Sequence, residues 1–194
     1  MSITRGRRGS EGTKKLVYLA ILTAVVFLLQ YISLFMRFAT FSLTFVLVPM
    51  VIGVALCGKW AGAWLGFVFG LAVFATGDAA FFLAFDVAGT IVTVMVKGVL
   101  AGVGAGLMYH YTKRFGKNIA VILSAIVTPI INTGVFVICC YIFFYEDIVI
   151  LAGGGNIFPF IITAFVGINF LIELCVNILL SPTVIRLINI KKKI

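Results

Sequence analysis

Long apolar runs, separated by short polar or basic connectors, make up most of this chain. Two of the runs are divided only by Gly58 and Lys59. A membrane-crossing helix needs about 20 predominantly apolar residues, so the pattern predicts an all-α integral membrane bundle of six transmembrane helices. The predicted spans are 16–36, 43–57, 60–77, 87–110, 118–145 and 158–188.

Composition supports this prediction. Of the 194 residues, 63% are hydrophobic and 11% are charged, against about 45–50% and about 25% in an average soluble domain. This excludes a soluble enzyme, and six spans leave no room for a separate folded domain. We therefore expect a basic cytoplasmic segment at 1–15, a transmembrane domain at 16–188 and a basic cytoplasmic tail at 189–194.

The charges predict the orientation. The net charge is +9, but its clustering between apolar runs is typical of cytoplasmic loops rather than of a nucleic-acid-binding surface. With both termini in the cytoplasm, the acidic residues Asp78, Asp86, Glu146 and Asp147 lie outside. We therefore expect a multi-pass protein of the cell membrane. Of its 15 basic residues, 13 then lie inside, namely Arg5, Arg7, Arg8, Lys14, Lys15, Lys59, Lys113, Arg114, Lys117, Arg186, Lys191, Lys192 and Lys193.

Glycines recur every four residues in the third and fourth spans. Small residues at this spacing let two helix backbones approach closely. We expect them to pack within the bundle, and a homodimer face is the alternative. The glycines are Gly62, Gly66 and Gly70 in the third span and Gly98, Gly102 and Gly106 in the fourth.

Two ionisable side chains, Lys97 and Glu173, fall inside predicted spans. Such groups cost several kcal/mol in the membrane unless they are paired or hydrated. Polar side chains at helical spacing accompany them and must point inward, because lipid cannot satisfy their hydrogen bonds. This predicts an internal polar cavity between spans four, five and six that opens outward. The candidate substrate-binding residues are Lys97, Asn132, Asn169, Glu173, Thr93 and Asp86, together with Arg37 in the first outer loop.

A structural interpretation of the same residues stays open. Lys97 and Glu173 can form a buried ion pair that only shapes the bundle, although such pairs are often no better for stability than apolar residues. Arg37 can equally be a side chain that reaches the membrane interface.

Motifs for chemistry are absent from the sequence. It has no GxxxxGK[ST] motif for ATP, no recognisable nucleophile and base, and a single histidine, His110. We therefore predict no enzymatic activity, no cofactor and no metal site.

Two stretches resemble a known family. Ala20-Ile-Leu-Thr-Ala24 is an AxxxA motif after a basic N-terminus, and Leu47-Val-Pro-Met-Val-Ile-Gly-Val-Ala-Leu-Cys-Gly-Lys-Trp-Ala-Gly-Ala-Trp-Leu-Gly66 follows it. Together with the length and the helix count, they resemble the substrate-binding S components of energy-coupling factor (ECF) transporters. The chain looks nearest to the broad pantothenate- and folate-like subgroup.

The resemblance implies a bacterial vitamin-uptake subunit. Such a protein captures its vitamin from outside and docks on a transmembrane coupling subunit that carries two ATPase subunits. Ala20 and Ala24 match the docking motif. Pantothenate is the first expectation, because Lys97 or Arg37 can hold its carboxylate, whereas Glu173 better suits a donor-rich group such as a pterin or a pyridoxine-like ring.

Other classes of function remain as alternatives. A stand-alone ion-coupled secondary transporter or channel would use the Lys97/Glu173 pair as an ion or proton relay. A membrane-embedded enzyme or an assembly factor has only the ionisable residues in its favour.

Overall fold

A computed structural model describes residues 3–38, 41–42 and 45–191, and nearly all of this part of the chain is helical. Its helices are α1 (Ile3–Ser33), α2 (Leu47–Cys57), α3 (Lys59–Ala75), α4 (Ala80–Leu83), α5 (Val87–Thr112), α6 (Lys117–Phe143), α7 (Tyr145–Leu151), α8 (Ile157–Ile161) and α9 (Gly167–Lys191).

Four helical segments are long and apolar enough to cross a membrane, counted over the residues described above: Glu11–Ser33, Val87–Phe115, Lys117–Phe143 and Ile157–Ile190. The helices α2 and α3 fall where spans two and three are predicted but are shorter, with 11 and 17 residues. At about 1.5 Å per residue, α2 reaches only about half of a hydrocarbon core roughly 30 Å thick. The all-α bundle is confirmed, while six spans with both ends in the cytoplasm stay a prediction.

The division between α2 and α3 occurs at Gly58, as the sequence predicts. Its φ of 111° lies in the region that favours glycine. The chain therefore changes direction here, and α3 begins at the next residue, Lys59.

The first loop contains two short paired strands that the sequence does not predict. After a 3₁₀ turn at Leu34–Met36, the two-residue strands β1 (Arg37–Phe38) and β2 (Phe41–Ser42) pair antiparallel, with Arg37 opposite Ser42. The described residues of this loop thus add a short turn and two paired strands after α1.

The predicted sixth span is interrupted. The short helix α8 leads into a π-helical turn at Ile162–Val166, and α9 follows from Gly167. In the connector before it, α7 occupies Tyr145–Leu151, and a tight turn uses the positive φ angles of Gly153 and Gly154. The sixth predicted element is therefore helical throughout but irregular near its start.

The glycine stripes pack against each other, which confirms the prediction of contacts within the bundle. A Cβ atom on Gly62 would overlap the carbonyl of Gly102, and one on Gly66 would overlap the carbonyl of Gly98. Backbone therefore meets backbone along α3 and α5. This contact occupies the glycine faces, so they do not form a homodimer surface.

Two of the apolar clusters of the described residues reach the end of the bundle where a cavity lies. One joins α1, α2 and α3 around Leu47, Met50 and Leu65. The other lies around Phe144, Ile148 and Ile161, where the connector after α6 meets α8. A cavity lies between α3, α5, α6 and α9, close to the second cluster.

Candidate substrate-binding site

The cavity lies at the end of the bundle where α3 ends and α5 begins. It has a volume of about 130 Å³, which is room for several water molecules or a small ligand. The opposite end of the bundle carries Lys59 at the start of α3, and Lys113 and Arg114 between α5 and α6. The lining residues are Phe69, Val73, Asp78, Ala79, Phe82, Thr90, Thr93, Val94, Lys97, Asn132, Thr133, Phe136, Phe144, Phe165, Val166, Asn169, Phe170 and Glu173.

Five of the predicted site residues come together in this lining. They are Thr93 and Lys97 from α5, Asn132 from α6, and Asn169 and Glu173 from α9. The cavity thus lies between α5, α6 and α9, the helices of the fourth, fifth and sixth predicted spans. The helix α3 contributes a further wall that the sequence does not indicate.

Lys97 is half-buried, and two aromatic rings lie next to its ammonium group. Its Nζ lies 5.3 Å from the ring centroid of Phe136 and 5.9 Å from that of Phe69. An ammonium over an aromatic face is attracted by the negative face of the ring. The two phenylalanines therefore stabilise a charge that the hydrocarbon would otherwise disfavour.

Three side-chain oxygens of the lining residues are buried without a hydrogen-bond partner among the described residues. They are Thr93 Oγ1, Asn132 Oδ1 and Asn169 Oδ1. An unsatisfied buried acceptor costs about 1–3 kcal/mol. Three such atoms around one cavity are expected where a ligand supplies the missing donors.

Three polar residues recur every four positions on α6, namely Ser124, Thr128 and Asn132, and they have two different roles. Ser124 Oγ donates to the carbonyl of Ala105 on α5 at 3.2 Å, and Thr128 Oγ1 donates to the carbonyl of Ser124 at 2.6 Å. Only Asn132, one turn further on, lines the cavity. The first two residues therefore stabilise the bundle, and the third belongs to the site.

Asp86 is predicted to bind substrate, but in the structure it caps the start of α5. It is not among the lining residues, and its carboxylate accepts hydrogen bonds from the backbone N–H groups of Ala88 and Gly89, both at 2.9 Å. This is the N-cap of α5. The capping bonds use both carboxylate oxygens, so we leave Asp86 out of the proposed site.

The other outer residue, Arg37, lies in β1, and its side chain is outside the described part of the structure. Its expected contact with an anion therefore stays a prediction.

Sequence reasoning missed Asp78 as a site residue. It lines the cavity from the connector after α3, and its Oδ2 accepts a hydrogen bond from Nε2 of the fully buried Gln30 at 3.1 Å. The signal in the sequence is a glutamine near the end of an apolar span, which needs a polar partner from another element.

The aromatic part of the lining was missed as well. Phe82 of α4 lies at its centre, with ring centroids 5.5 Å from Phe136, 5.1 Å from Phe144 and 5.4 Å from Phe165. With 19 phenylalanines in the chain, sequence position alone does not distinguish those of a cavity from those that face lipid.

Ala20 and Ala24 are both exposed on α1, next to exposed Leu16 and Leu28. Thr23, between them, points elsewhere and accepts a hydrogen bond from Trp64 Nε1 of α3 at 3.1 Å. The AxxxA face is therefore not used for packing against the described helices.

The described residues contain no group of three His, Cys, Asp or Glu side chains that could hold a metal ion. The described cavity lining presents one ammonium, two carboxyl groups, amides, hydroxyls and aromatic rings. These groups together can bind a small polar molecule.

Comparison with known proteins identifies the family. A family model described as "ECF transporter, substrate-specific component" matches residues 14–185, most of the chain and all the elements that line the cavity. Comparisons with curated proteins and with solved structures give no match. A family of transport subunits, not of enzymes, agrees with a membrane protein whose polar groups surround a cavity. The chain belongs to the family of substrate-specific components of ECF transporters.

Proposed function

We propose that this protein captures a small polar vitamin from outside the cell and delivers it through a separate, ATP-driven coupling module. The observation that carries the proposal is the cavity in which Lys97, Glu173 and Asn132 come together, within a bundle whose described residues are mostly apolar. Burying such groups is costly, and a helical bundle needs none of them for stability. A bound polar molecule accounts for their presence.

The position of the cavity supports uptake from outside. Basic residues at and between the helix ends, including Lys59, Lys113 and Arg114, lie at the opposite end of the bundle. By the positive-inside rule this basic end faces the cytoplasm. The cavity then lies in the outer half of the membrane, where an incoming nutrient arrives.

Delivery requires partners. The sequence carries no GxxxxGK[ST] motif, so energy has to come from other subunits. We assign the docking of a transmembrane coupling subunit, with its two ATPase subunits, to the exposed face of Ala20 and Ala24. Small side chains suit this role because they let a partner helix come close in lipid.

Pantothenate is the first vitamin to test. Lys97 is the cation of the described cavity lining and can bind its carboxylate, while Asn132 and Asn169 can hydrogen-bond its amide and hydroxyl groups.

Reconstitution tests the function. The protein in liposomes alone should bind its vitamin but not accumulate it, and accumulation should need an ECF coupling module and ATP inside. Full-rate uptake by the protein alone, driven by an ion gradient, would contradict the proposal. If Glu173→Gln then abolished ion flux, the pair of ionisable residues would belong to an ion-coupled carrier or channel.

A further inference from the structure

We propose that the end of the bundle opposite the cavity binds the phosphate group of an anionic phospholipid headgroup. An open depression of about 550 Å³ lies there, which we call the basic depression. It is separate from the cavity, because Tyr109 lies about 18 Å along α5 from Lys97 at roughly 1.5 Å per residue. The ligand is a lipid of the surrounding membrane and not the transported molecule, so this site goes beyond the proposed function. The residues that line the basic depression are Tyr109, His110, Tyr111, Lys113, Arg114 and Lys117.

The basic depression lies where a membrane-crossing helix meets water. The apolar segment Val87–Phe115 ends there, and the rings of Tyr111 and Phe115 are exposed at its end. Tryptophan and tyrosine are enriched at the interface between hydrocarbon and water. Headgroup phosphates occupy the same level of the membrane. A lipid that lies beside α5 and α6 can therefore place its phosphate in the basic depression.

The charges of the lining have one sign. Lys113 and Arg114 each contribute an exposed cation, and Lys117 belongs to the lining as well. No carboxyl group of the described residues is part of this lining. Basic side chains next to a membrane surface attract anionic lipids, and each one adds to the attraction. A lipid with a net negative charge is therefore favoured here over a zwitterionic one.

Arg114 is the residue best suited to hold the phosphate. Its guanidinium carbon, Cζ, lies 4.6 Å from the ring centroid of Phe115. This contact with an aromatic ring restrains the guanidinium, while the N–H donors lie in the plane of the group and point outward from it. Such donors form paired hydrogen bonds with two oxygens of a phosphate. The neighbouring Lys113 adds a second positive charge.

Tyr109 connects the basic depression to the core of the bundle. It is partly buried and packs against the apolar cluster that contains Val121 of α6 and Val184 of α9. The bundle therefore fixes one wall, and exposed groups from the connection between α5 and α6 form the rest. The positive-inside rule accounts for basic residues in such a connection, but it requires no depression. A bound phosphate accounts for the convergence of these residues on one place.

Lipid titration followed by native mass spectrometry tests this site. The full-length protein in detergent is titrated with dioleoyl phosphatidylglycerol, which is anionic, or with dioleoyl phosphatidylcholine, which has the same acyl chains and no net charge. We expect the first phosphatidylglycerol to bind at least about tenfold more tightly than phosphatidylcholine. Arg114→Gln should lower this affinity by about tenfold, because charge-assisted hydrogen bonds to the phosphate are lost. Arg114→Lys, which keeps the charge but not the planar donors, should lower it less.

The matched control is Arg186→Gln. Arg186 lies on α9 towards the same end of the bundle, is exposed, and is not part of the lining. Each of the two glutamine variants loses one exposed arginine, so a general attraction of lipid to the basic end would weaken equally in both. Neither substitution removes a buried side chain, so both proteins should fold. We expect Arg186→Gln to leave the affinity for phosphatidylglycerol unchanged.

Selective binding of phosphatidylglycerol that depends on Arg114 and not on Arg186 supports the lipid site. Equal affinities for the two lipids, or equal losses in Arg114→Gln and Arg186→Gln, would overturn it and leave only a general attraction to the basic end. Unchanged lipid binding by Arg114→Gln, together with weaker co-purification of an ECF coupling subunit, would also overturn it and assign the basic depression to an acidic surface of that subunit. The vitamin proposal depends on the cavity and is untouched by each of these results.

Discussion

The contact between α3 and α5 and the contact between α6 and α9 show two opposite ways of packing helices in a membrane. Along α3 and α5, glycines let carbonyl groups and backbones touch. Between α6 and the segment that runs from the π-helical turn into α9, an apolar groove lined by Gly134, Val137, Ile162 and Leu171 lies beside the cavity. Close packing makes one side of the bundle a scaffold, and loose packing leaves room for a ligand on the other.

The irregular backbone lies on the loose side. The π-helical turn at Ile162–Val166 comes directly before Asn169 and Glu173. Such turns are rare and occur frequently at functional sites. Thr133, Val166 and Phe170 line both the groove and the cavity. A regular helix packed as closely as α3 packs on α5 would leave less space here.

The largest effect is expected from breaking the close contact. Gly66→Val would force a side chain into the carbonyl of Gly98, where backbone cannot move aside. Overpacking costs about 1–3 kcal/mol and occasionally more, and we expect the upper end or beyond. The measurement is the yield of monodisperse protein and its melting temperature in detergent.

The matched control lies on the loose side. A Cβ atom on Gly134 of α6 meets nothing within 4 Å, so Gly134→Ala should be neutral or stabilise by up to about 1 kcal/mol. Equal destabilisation by both substitutions would show that the two contacts do not differ as described.

The next effect concerns the charge in the cavity. Lys97→Met keeps most of the side-chain volume but removes the ammonium, and vitamin affinity should fall by about tenfold to a hundredfold. Lys113→Met, at the exposed end of α5, is the control and should leave affinity unchanged. If both variants bind equally well in equilibrium titrations, Lys97 is not a ligand contact.

Docking of the coupling subunit is expected to depend on the exposed face of α1 and not on the cavity. Ala24→Trp places a bulky ring on the exposed face of α1 and should lower ATP-dependent uptake by about tenfold, because a partner helix can no longer approach. Vitamin binding should not change, and Ala84→Trp in the connector before α5 should affect neither. Normal uptake by Ala24→Trp would remove the docking assignment.

The smallest effect distinguishes a cap from a ligand contact. Asp86→Ala removes the N-cap of α5 and should lower stability by about 1 kcal/mol without changing vitamin affinity per folded molecule. Asp86→Asn, which retains an acceptor oxygen, should recover most of the loss. A drop in affinity at unchanged stability would return Asp86 to the site.

Much of this architecture follows from periodicity. Apolar run length places the main helices, four-residue glycine spacing predicts the contact of α3 with α5, and polar spacing predicts that Lys97, Asn132 and Glu173 share a cavity. These features are local on each helix, and lipid enforces them, since polar groups must face inward.

The features that sequence reasoning missed depend on three-dimensional neighbours. Asp78 reaches the cavity from a connector and is bonded by Gln30, 48 residues away along the chain. Asp86 shares its helical face with Thr93 and Lys97, but the start of α5 uses its carboxylate. The π-helical turn has no distinctive composition, so a continuous span was the natural prediction.

The central claim is that the cavity holds a small molecule, and native mass spectrometry of gently purified protein tests it most directly. Wild-type protein and Ile168→Phe, which changes a residue that is 73% exposed, should retain one small ligand of the same mass. Asn169→Phe, on the neighbouring lining residue, should fold but lose that ligand. The same adduct on all three proteins, or on none, would contradict the account.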